Sequence, residues 1–398
     1  MGIIYNAIDL LYNFHMENVL KNIFKKEKPL IIVCPDSFKG TMSAVTVARI
    51  ISDAILSVYP FAEVKAFPVA DGGEGTIDCI GSACRCDIKT VSVNDAYFNK
   101  TEARYALLGD GTAVIESAEV VGLYKLKELN PLKTSTFGLG EILSIVANEN
   151  RKILFALGGS STNDGGAGIA AACGAKFFNK DRKEFIPTGG TLLDIESIDV
   201  SNLIKAEIEC MCDVENPLYG ENGAAYVFAP QKGADEEMVR LLDAGLRHYA
   251  KKIKEFLGVD VSDIKGGGAA GGMAAGLFAF FGAKIKSGID LILDTLNFDD
   301  IVKRADLVIT GEGKLDLTSF SGKVIGGIIK RAKKLSVPVA AICGTMDKKL
   351  AQSPEILSSG GLICAAYVSD GSRPFDEIIK TCKEDLFKTA ADFISSFN

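Results

Sequence analysis

Short apolar runs, each followed by a loop rich in glycine, serine, aspartate or asparagine, recur along this chain and determine its fold class. The clearest runs are residues 30–34, 64–69, 153–157, 207–212, 307–310 and 337–343. Apolar positions with a helical period follow the first run, at Val47, Ile51 and Ile55. Apolar strands that alternate with helices are typical of a parallel sheet with helices on both faces. We therefore predict an α/β fold built on such a sheet.

One stretch departs from this pattern and indicates a second domain. Residues 103–108 and 112–117 flank the turn at 109–111, which predicts an antiparallel hairpin. At 398 residues the chain is also too long for one core, since a domain takes roughly 150 residues. We predict that the hairpin belongs to a second, mixed α/β domain.

The loops after the apolar runs are expected to form one polar site. In a parallel sheet, ligands bind beyond the carboxyl ends of the strands, where these loops lie. Glycine lets backbone N–H groups reach phosphate oxygens, hydroxyl groups add hydrogen bonds, and lysine adds positive charge. Aspartate and glutamate supply the oxygen ligands that Mg²⁺ prefers. The residues alone thus predict an enzyme that acts on a phosphorylated or anionic small molecule.

Composition argues against several other functions. A net charge of −7 predicts no broad basic surface for nucleic acid or an anionic membrane. Two histidines provide little material for a histidine-based triad, and ten cysteines without a CxxC pair are typical of a reduced cytoplasmic protein rather than a zinc protein. No secretory signal is evident, and the apolar stretch 269–283 is too short to span a bilayer, so we expect a buried helix there.

Generic nucleotide motifs are absent or weak. The P-loop pattern fails because Gly322-Lys323 is followed by Val324. Residues 166–171 formally match a dinucleotide fingerprint, which keeps a dinucleotide-dependent oxidoreductase of a small hydroxy acid as an alternative. A non-catalytic binding module is a third possibility, although many carboxylates next to an anion site argue against it.

Five distinctive segments follow one another along the chain: PDSFKG at 35–40, PVADGGEGT at 68–76, GGSSTNDGG at 158–166, CDVENPL at 212–218 and TGEGKLD at 310–316. In these segments and in their order, the sequence resembles the type-1 glycerate kinase family. Residues 226–234, 266–272 and 287–294 add further matches, so that the resemblance runs from about residue 30 to the C-terminus. Strings this different, in a fixed order, rarely agree by chance.

The resemblance implies phosphorylation of D-glycerate by ATP with Mg²⁺, mostly on the 2-hydroxyl to give 2-phosphoglycerate; 3-phosphoglycerate stays open as the product. It implies a discontinuous Rossmann/flavodoxin-like domain, residues 29–90 and 290–398, with a second α/β domain, 91–289, inserted into it and the site in the cleft between them. Residues 1–28 form an extension outside the family pattern. The expected partners are ATP and glycerate, without nucleic acid or membrane, for a cytoplasmic monomer or homodimer.

Phosphoryl transfer needs positioning, charge neutralisation and at most one carboxylate that orients the attacking hydroxyl. The candidates for catalysis are Lys39, Asp71 and Asp213, with Asp71 and Asp213 as alternatives for that carboxylate. The candidates for binding substrate or phosphate are Asp36, Ser37, Gly72, Gly73, Ser160, Ser161, Asn163, Asp164, Asn216, Gly267, Gly268, Gly311, Gly313, Lys314 and Lys323. The candidate metal ligands are Glu74, Glu312 and Asp316. Structural alternatives remain, because aspartate and serine also cap helices and glycines also permit close packing.

Overall fold

The computed structural model describes residues 11–12, 14–149, 152–320 and 323–397. Its strands are β1 (Leu11–Tyr12), β2 (Leu30–Val33), β3 (Glu63–Ala66), β4 (Cys86–Asn94), β5 (Lys100–Leu108), β6 (Ala113–Glu116), β7 (Lys152–Ala156), β8 (Lys176–Phe178), β9 (Glu184–Phe185), β10 (Ser197–Asp199), β11 (Glu207–Met211), β12 (Lys284–Lys286), β13 (Leu307–Thr310), β14 (Lys314–Leu315), β15 (Val339–Cys343), β16 (Thr345–Met346) and β17 (Cys364–Tyr367).

The helices are α1 (Phe14–Phe24), α2 (Ala44–Val58), α3 (Thr76–Ala83), α4 (Ser117–Val121), α5 (Phe137–Ala147), α6 (Ala167–Ala172), α7 (Ala224–Phe228), α8 (Glu236–Leu257), α9 (Ala269–Phe281), α10 (Gly288–Thr295), α11 (Phe298–Val302), α12 (Val324–Lys334), α13 (Lys348–Ala351), α14 (Pro354–Gly360) and α15 (Phe375–Ser395). Short 3-10 helices cover Leu123–Lys125, Gly189–Asp194, Pro230–Lys232 and Leu317–Phe320. Across the described residues, no helix is both long and apolar enough to cross a membrane.

The described residues divide into two compact units. The first contains the residues up to Ala70, Asp78–Ala83 and those from Ile289 on, whereas the second contains Asp71–Ile77 and Cys84–Gly288. The predicted bounds differ here, since they assigned all of 71–90 to the first domain. The physical reason is clearest for β4, which pairs along its whole length with β5 in the second unit.

The first unit is built on a six-stranded sheet of order β1-β17-β15-β13-β2-β3. Neighbouring strands are parallel, except that β1 is antiparallel to β17. The helix α2 begins after Ser43, whose side chain accepts a hydrogen bond from the N–H of Thr46, and it buries Val47 and Ile51. Because parallel strands end at one edge of the sheet, the loops after β2, β13 and β15 are neighbours.

The second unit is built on a mixed six-stranded sheet of order β12-β11-β7-β6-β5-β4. The strands from β12 to β6 are parallel, and β6, β5 and β4 are antiparallel, with Tyr105 opposite Ile115. The predicted hairpin is therefore confirmed. The long helix α8 is capped by Asp235 and ends at Gly258 with φ 72°, and the apolar stretch from Ala269 forms the mostly buried helix α9. A parallel-sheet unit with an inserted mixed α/β unit is the predicted fold class.

The described part of the N-terminal extension packs on the first unit. Leu20, Ile23 and Phe24 of α1 are buried in the core of this unit. The ring of Phe24 stacks parallel to that of Phe397, with 6.1 Å between the centroids, and lies 4.7 Å from that of Tyr59. We predicted an extension outside the family pattern, and its helix contributes apolar area to the core of this unit. Residues 1–10 and 13 of the extension lie outside the described residues.

Candidate functional site

The loop that follows β2 carries three of the predicted residues and is tied to the loop that follows β13. The carboxylate of Asp36 accepts a hydrogen bond from the N–H of Ser37 at 2.6 Å, and the N–H of Asp36 donates to the carbonyl of Gly311 at 2.8 Å. Lys39, three residues further on, is exposed. The local hydrogen bond of Asp36 is the turn predicted as its structural alternative, whereas Lys39 has no such role.

Glycine is required at the start of the loop after β13. A Cβ atom at Gly311 would overlap the carbonyl oxygen of Ile342, and one at Gly313 would lie 3.3 Å from the backbone nitrogen of Lys39. The N–H of Gly344 donates to the carbonyl of Glu312. Backbone hydrogen bonds and close packing therefore join the loops after β2, β13 and β15 into one frame.

Four charged side chains meet on this frame: Lys39, Glu312, Asp316 and Lys323. Burial raises the pKa of Glu312, and the nearby Asp316 raises it further. A side-chain hydrogen bond with Ser319 and the charges of Lys323 and Lys39 lower it. Oxygen Oε1 of Glu312 has no hydrogen-bond partner among the described residues. We refer to these four residues as the charged cluster.

The other carboxylate of the charged cluster also has a structural task. Oδ1 of Asp316 accepts hydrogen bonds from the N–H and the hydroxyl of Thr318, at 2.8 and 2.6 Å, and the side-chain hydrogen bond is the main cause of its lowered pKa. Lys323 donates to the hydroxyl of Thr318 at 2.8 Å. Lys314 is exposed on the short strand β14. Over the described ranges, no group of three or more His, Cys, Asp or Glu side chains is arranged to hold a metal ion.

In the second unit, the loop 71–75 is shaped by its glycines. Gly72 has φ +85°, and a Cβ there would lie 2.6 Å from Cβ of Met211. Oδ1 of Asp71 accepts a hydrogen bond from the N–H of Gly73 at 3.1 Å. The N–H of Gly158 donates to the carbonyl of Gly72 at 2.9 Å, which joins this loop to the one after β7.

A residue missed in the sequence anchors the far side of this loop. The carboxylate of Glu116, 1% exposed at the end of β6, accepts hydrogen bonds from the N–H groups of Gly75 and Ile77, each at 2.9 Å. The pattern offers one weak signal, an acid that ends an apolar strand. Glu74 lies close enough to Tyr124 to contribute to that residue's raised pKa, for which burial is the main cause.

The two candidates for the orienting carboxylate converge on Gly288. Oδ1 of Asp213 accepts hydrogen bonds from the hydroxyl of Ser287 at 3.0 Å and from the N–H of Gly288 at 2.8 Å. A Cβ at Gly288 would lie 2.9 Å from Oδ2 of Asp213 and would overlap the carbonyl oxygen of Asp71. The structure thus brings the backbone of Asp71 and the carboxylate of Asp213 together at Gly288.

The loop 160–164 is almost completely buried, and Asp164 organises its end. Its Oδ2 accepts hydrogen bonds from the N–H and hydroxyl of Thr136, at 2.7 and 2.8 Å, and from the N–H of Gly168 at 3.2 Å. Its Oδ1 accepts from the N–H of Gly166. Burial raises the pKa of Asp164, and these hydrogen bonds oppose that shift. Since the N–H groups of Gly166 and Gly168 are bonded to Asp164, they are not available to a pyrophosphate, which removes the support for the dinucleotide alternative.

A buried lysine contacts the same loop and was also missed. Lys232 is 2% exposed, and its ammonium donates to the carbonyl of Thr162 at 2.6 Å and to the hydroxyl of Ser160 at 3.2 Å. The hydroxyl of Ser161 donates to the carbonyl of Val121. Both side-chain polar atoms of Asn163 are buried without a hydrogen-bond partner among the described residues. Lysine is seldom buried, so a pattern of residue types alone would not find Lys232.

The remaining predicted residues pack against α9. Nδ2 of Asn216 donates to the carbonyl of Asn222 at 2.8 Å, and the N–H of Gly268 donates to the carbonyl of Asn216 at 2.9 Å. A Cβ at Gly268 would overlap the carbonyl oxygen of Pro217, and one at Gly267 would lie 3.0 Å from that of Ile264. These glycines therefore permit close packing at the start of α9, the structural alternative for them.

Comparison with known proteins gives concordant matches. A model of the glycerate kinase family matches residues 31–398. A glycerate kinase of Halalkalibacterium halodurans is 40% identical over 378 residues, which cover 92% of this chain and 98% of that protein. A glycerate 2-kinase of Escherichia coli is 42% identical over 324 residues, 79% of this chain and 85% of that protein. A crystal structure described as glycerate kinase 2 of Salmonella typhimurium has a TM-score of 0.78 at 36% identity and covers 93% of this chain and 98% of its own.

Proposed function

This chain belongs to the glycerate kinase family and is a kinase, and from that premise we propose that it transfers the γ-phosphoryl group of ATP to the 2-hydroxyl of D-glycerate. The product is 2-phosphoglycerate, as the name of the Escherichia coli relative suggests. The observation that carries the proposal is the charged cluster, which lies within the matched residues and combines two lysines with two carboxylates. Such a combination suits a triphosphate and a divalent cation.

The first unit supplies the groups for ATP in this proposal. Lys39 and Lys323 neutralise phosphate charge, with Lys314 beside them and the backbone of Gly311 and Gly313 near the phosphates. Asp36 and Ser37 fix the loop that carries Lys39. Each lysine acts as a point charge, and its attraction for the transferring group grows as negative charge develops on that group.

The residues of the charged cluster fit Mg²⁺. This ion takes one or two carboxylates, keeps several waters and uses phosphate oxygens as its other ligands. Glu312 offers Oε1, an oxygen without a partner among the described residues, and Asp316 stands near it. These two residues would hold the ion, which when bound would neutralise phosphate charge. We also propose Glu74 as a further oxygen ligand, as expected from its position in the 71–75 loop.

The second unit supplies the groups for glycerate. Asp71 or Asp213 orients the 2-hydroxyl and accepts its proton as the phosphoryl group transfers. Ser160, Ser161 and Asn163 bind the glycerate carboxylate together with the backbone of Gly72 and Gly73, and Asp164 holds their loop. Asn216, Gly267 and Gly268 shape the wall of this site.

A coupled assay for ADP release, with D-glycerate and ATP in the presence and absence of Mg²⁺, tests this function. We expect release that requires both glycerate and Mg²⁺, and a phosphorus NMR spectrum of 2-phosphoglycerate. A spectrum of 3-phosphoglycerate would overturn the choice of hydroxyl. Glycerate binding without ADP release would support a binding module instead, and turnover of NAD(H) would support an oxidoreductase.

We further propose a cytoplasmic enzyme that is a monomer or a homodimer. All ten cysteines are free thiols, and burial raises the pKa of Cys34, Cys210, Cys343 and Cys364, which makes them unreactive core groups. Sedimentation velocity in reducing buffer tests the oligomeric state, and a species larger than a dimer would contradict the proposal.

A further inference from the structure

Lys232 places an ionisable amine in the interior of the second unit. It belongs to the 3-10 helix Pro230–Lys232 and is among the largest side chains that are almost fully buried. Burial lowers the pKa of Lys232 to about 7, and the charge of Asp164 opposes that shift. Burying an ammonium group costs free energy that an apolar side chain would not cost. The position therefore calls for a reason other than packing.

The contacts of the ammonium group indicate that reason. Its two hydrogen bonds go to Ser160 and to the carbonyl of Thr162, which are two residues apart on the loop 160–164. Between and beside these contacts lie Thr162 and Asn163, whose side-chain polar atoms are buried without a partner among the described residues. A buried amide without a partner costs about 1–3 kcal/mol. The polar side-chain atoms of Thr162 and Asn163 are thus available to a ligand, while Lys232 holds the backbone of the loop.

We propose that Lys232 is a positioning residue, which holds the loop 160–164 in the shape that binds the substrate carboxylate. The inference rests on the proposed function in one respect, namely that this loop binds glycerate. Lys232 itself contacts the loop and not the reacting atoms. It acts through Ser160 and Thr162, and its removal should weaken glycerate binding more than it slows the transfer step.

The same unit offers a matched control, because a second lysine there is also buried. Lys252 on α8 is 7% exposed, and its ammonium donates to the carbonyl of Glu196 at 2.8 Å. Lys252 thus makes a comparable backbone contact away from the loop 160–164. The variants Lys232→Met and Lys252→Met each remove one buried ammonium group and keep a side chain of similar length.

The experiment measures two properties of these variants and of the wild-type protein. Steady-state kinetics give KM for glycerate, KM for ATP and kcat, and hydrogen exchange with mass spectrometry gives the protection of the backbone in 158–166. For Lys232→Met we expect KM for glycerate to rise at least tenfold, kcat to fall less than threefold, and loop exchange to accelerate at least tenfold. For Lys252→Met we expect loop exchange and KM for glycerate within twofold of wild type.

Each other outcome contradicts the proposal or locates the fault elsewhere. Unchanged loop exchange in Lys232→Met overturns it, and so does an equal effect of Lys252→Met on the loop or on KM. If the wild-type protein releases no ADP with glycerate, the proposed function fails, while loop exchange still decides whether Lys232 holds the loop. If Lys232→Met does not fold, Lys232→Gln keeps N–H donors for Thr162 and is read in the same way, with a smaller expected rise in KM.

Discussion

The two units use their polar loops in opposite ways. In the first unit, Lys39, Lys314 and Lys323 are exposed around a buried Glu312. In the second unit, the residues of the loop 160–164 are at most 4% exposed, and the side chains of Ser160, Ser161 and Asp164 bond to the protein itself. An exposed charged side chain has few contacts that fix its position, and it contributes little to the free energy of unfolding. Buried polar groups must satisfy one another, so that function and stability are coupled there.

The largest effect on stability should come from a change in the buried loop 160–164. We expect Asp164→Ala to lower the free energy of unfolding by about 3 kcal/mol, because it leaves the donors of Thr136 and the N–H of Gly168 without an acceptor. Urea unfolding measures it. The matched variant Asp199→Ala removes an exposed carboxylate that accepts a turn N–H and should cost less than about 1 kcal/mol. Equal effects would break the contrast between the two loops.

For an exposed lysine of the first unit we expect the reverse, a large loss of activity with little loss of stability. We expect Lys39→Ala to lower kcat/KM at least a hundredfold, about 2.7 kcal/mol of transition-state stabilisation. Its free energy of unfolding should change by less than about 0.5 kcal/mol, since the side chain is exposed. Kinetics and urea unfolding on the same preparation check both. Lys303→Ala, at another exposed lysine of this unit, should leave kcat/KM unchanged, and near-wild-type turnover of Lys39→Ala would remove that residue from the site.

A third variant sharpens the comparison for the loop 71–75. Glu116→Gln retains one acceptor oxygen and turns an amide group toward an N–H of Gly75 or Ile77. We expect a loss of about 2 kcal/mol in the free energy of unfolding, because one buried donor then has no acceptor. Thermal and urea unfolding measure it, with Glu102→Gln on the exposed part of β5 as control. A loss as small as that of the control would mean that the loop holds its shape without Glu116.

The smallest expected effect is a pH dependence that arises from Lys232. The ionisable group that acts on Lys232 is Asp164, and burial together with the same carboxylate raises the pKa of Tyr249. The pKa of Lys232 is lowered to about 7 in the folded protein, below the 10.5 of a lysine in water. Between those values the unfolded chain binds more protons, so the free energy of unfolding rises with pH. We expect a gain of about 1 kcal/mol from pH 7 to 8. Urea unfolding at both pH values measures it, and a gain of the same size in Lys232→Met would assign it to another group.

Much of the fold could be predicted because it rests on patterns of local sequence. The apolar run 307–310 is the strand Leu307–Thr310, and the run 207–212 is Glu207–Met211. The strand Leu307–Thr310 is buried throughout and has no alternation of polar residues to obscure it. The strand β4 was not assigned, because its side chains are largely exposed and its place depends on pairing with β5.

A residue of the candidate site could be proposed from the sequence only where its residue type has one good explanation. Lys39 has no capping role, and the glycines at 311 and 313 mark a close approach of backbones that the structure contains. Lys232 and Glu116 could not be found in this way, because their significance lies in contacts with residues far away in the sequence. The packing of α1 stayed open at the level of sequence for the same reason, since its apolar face has no partner nearby in the chain.

The backbone bonds that join Asp36 to Gly311 and Glu312 to Gly344 have a thermodynamic consequence. Lys39 and Glu312 stand on segments almost three hundred residues apart, yet neither segment can shift without breaking a hydrogen bond of the other. Partial melting of one segment alone is thereby disfavoured. In a denaturant titration, loss of turnover should coincide with loss of the first unit's helical signal and not precede it.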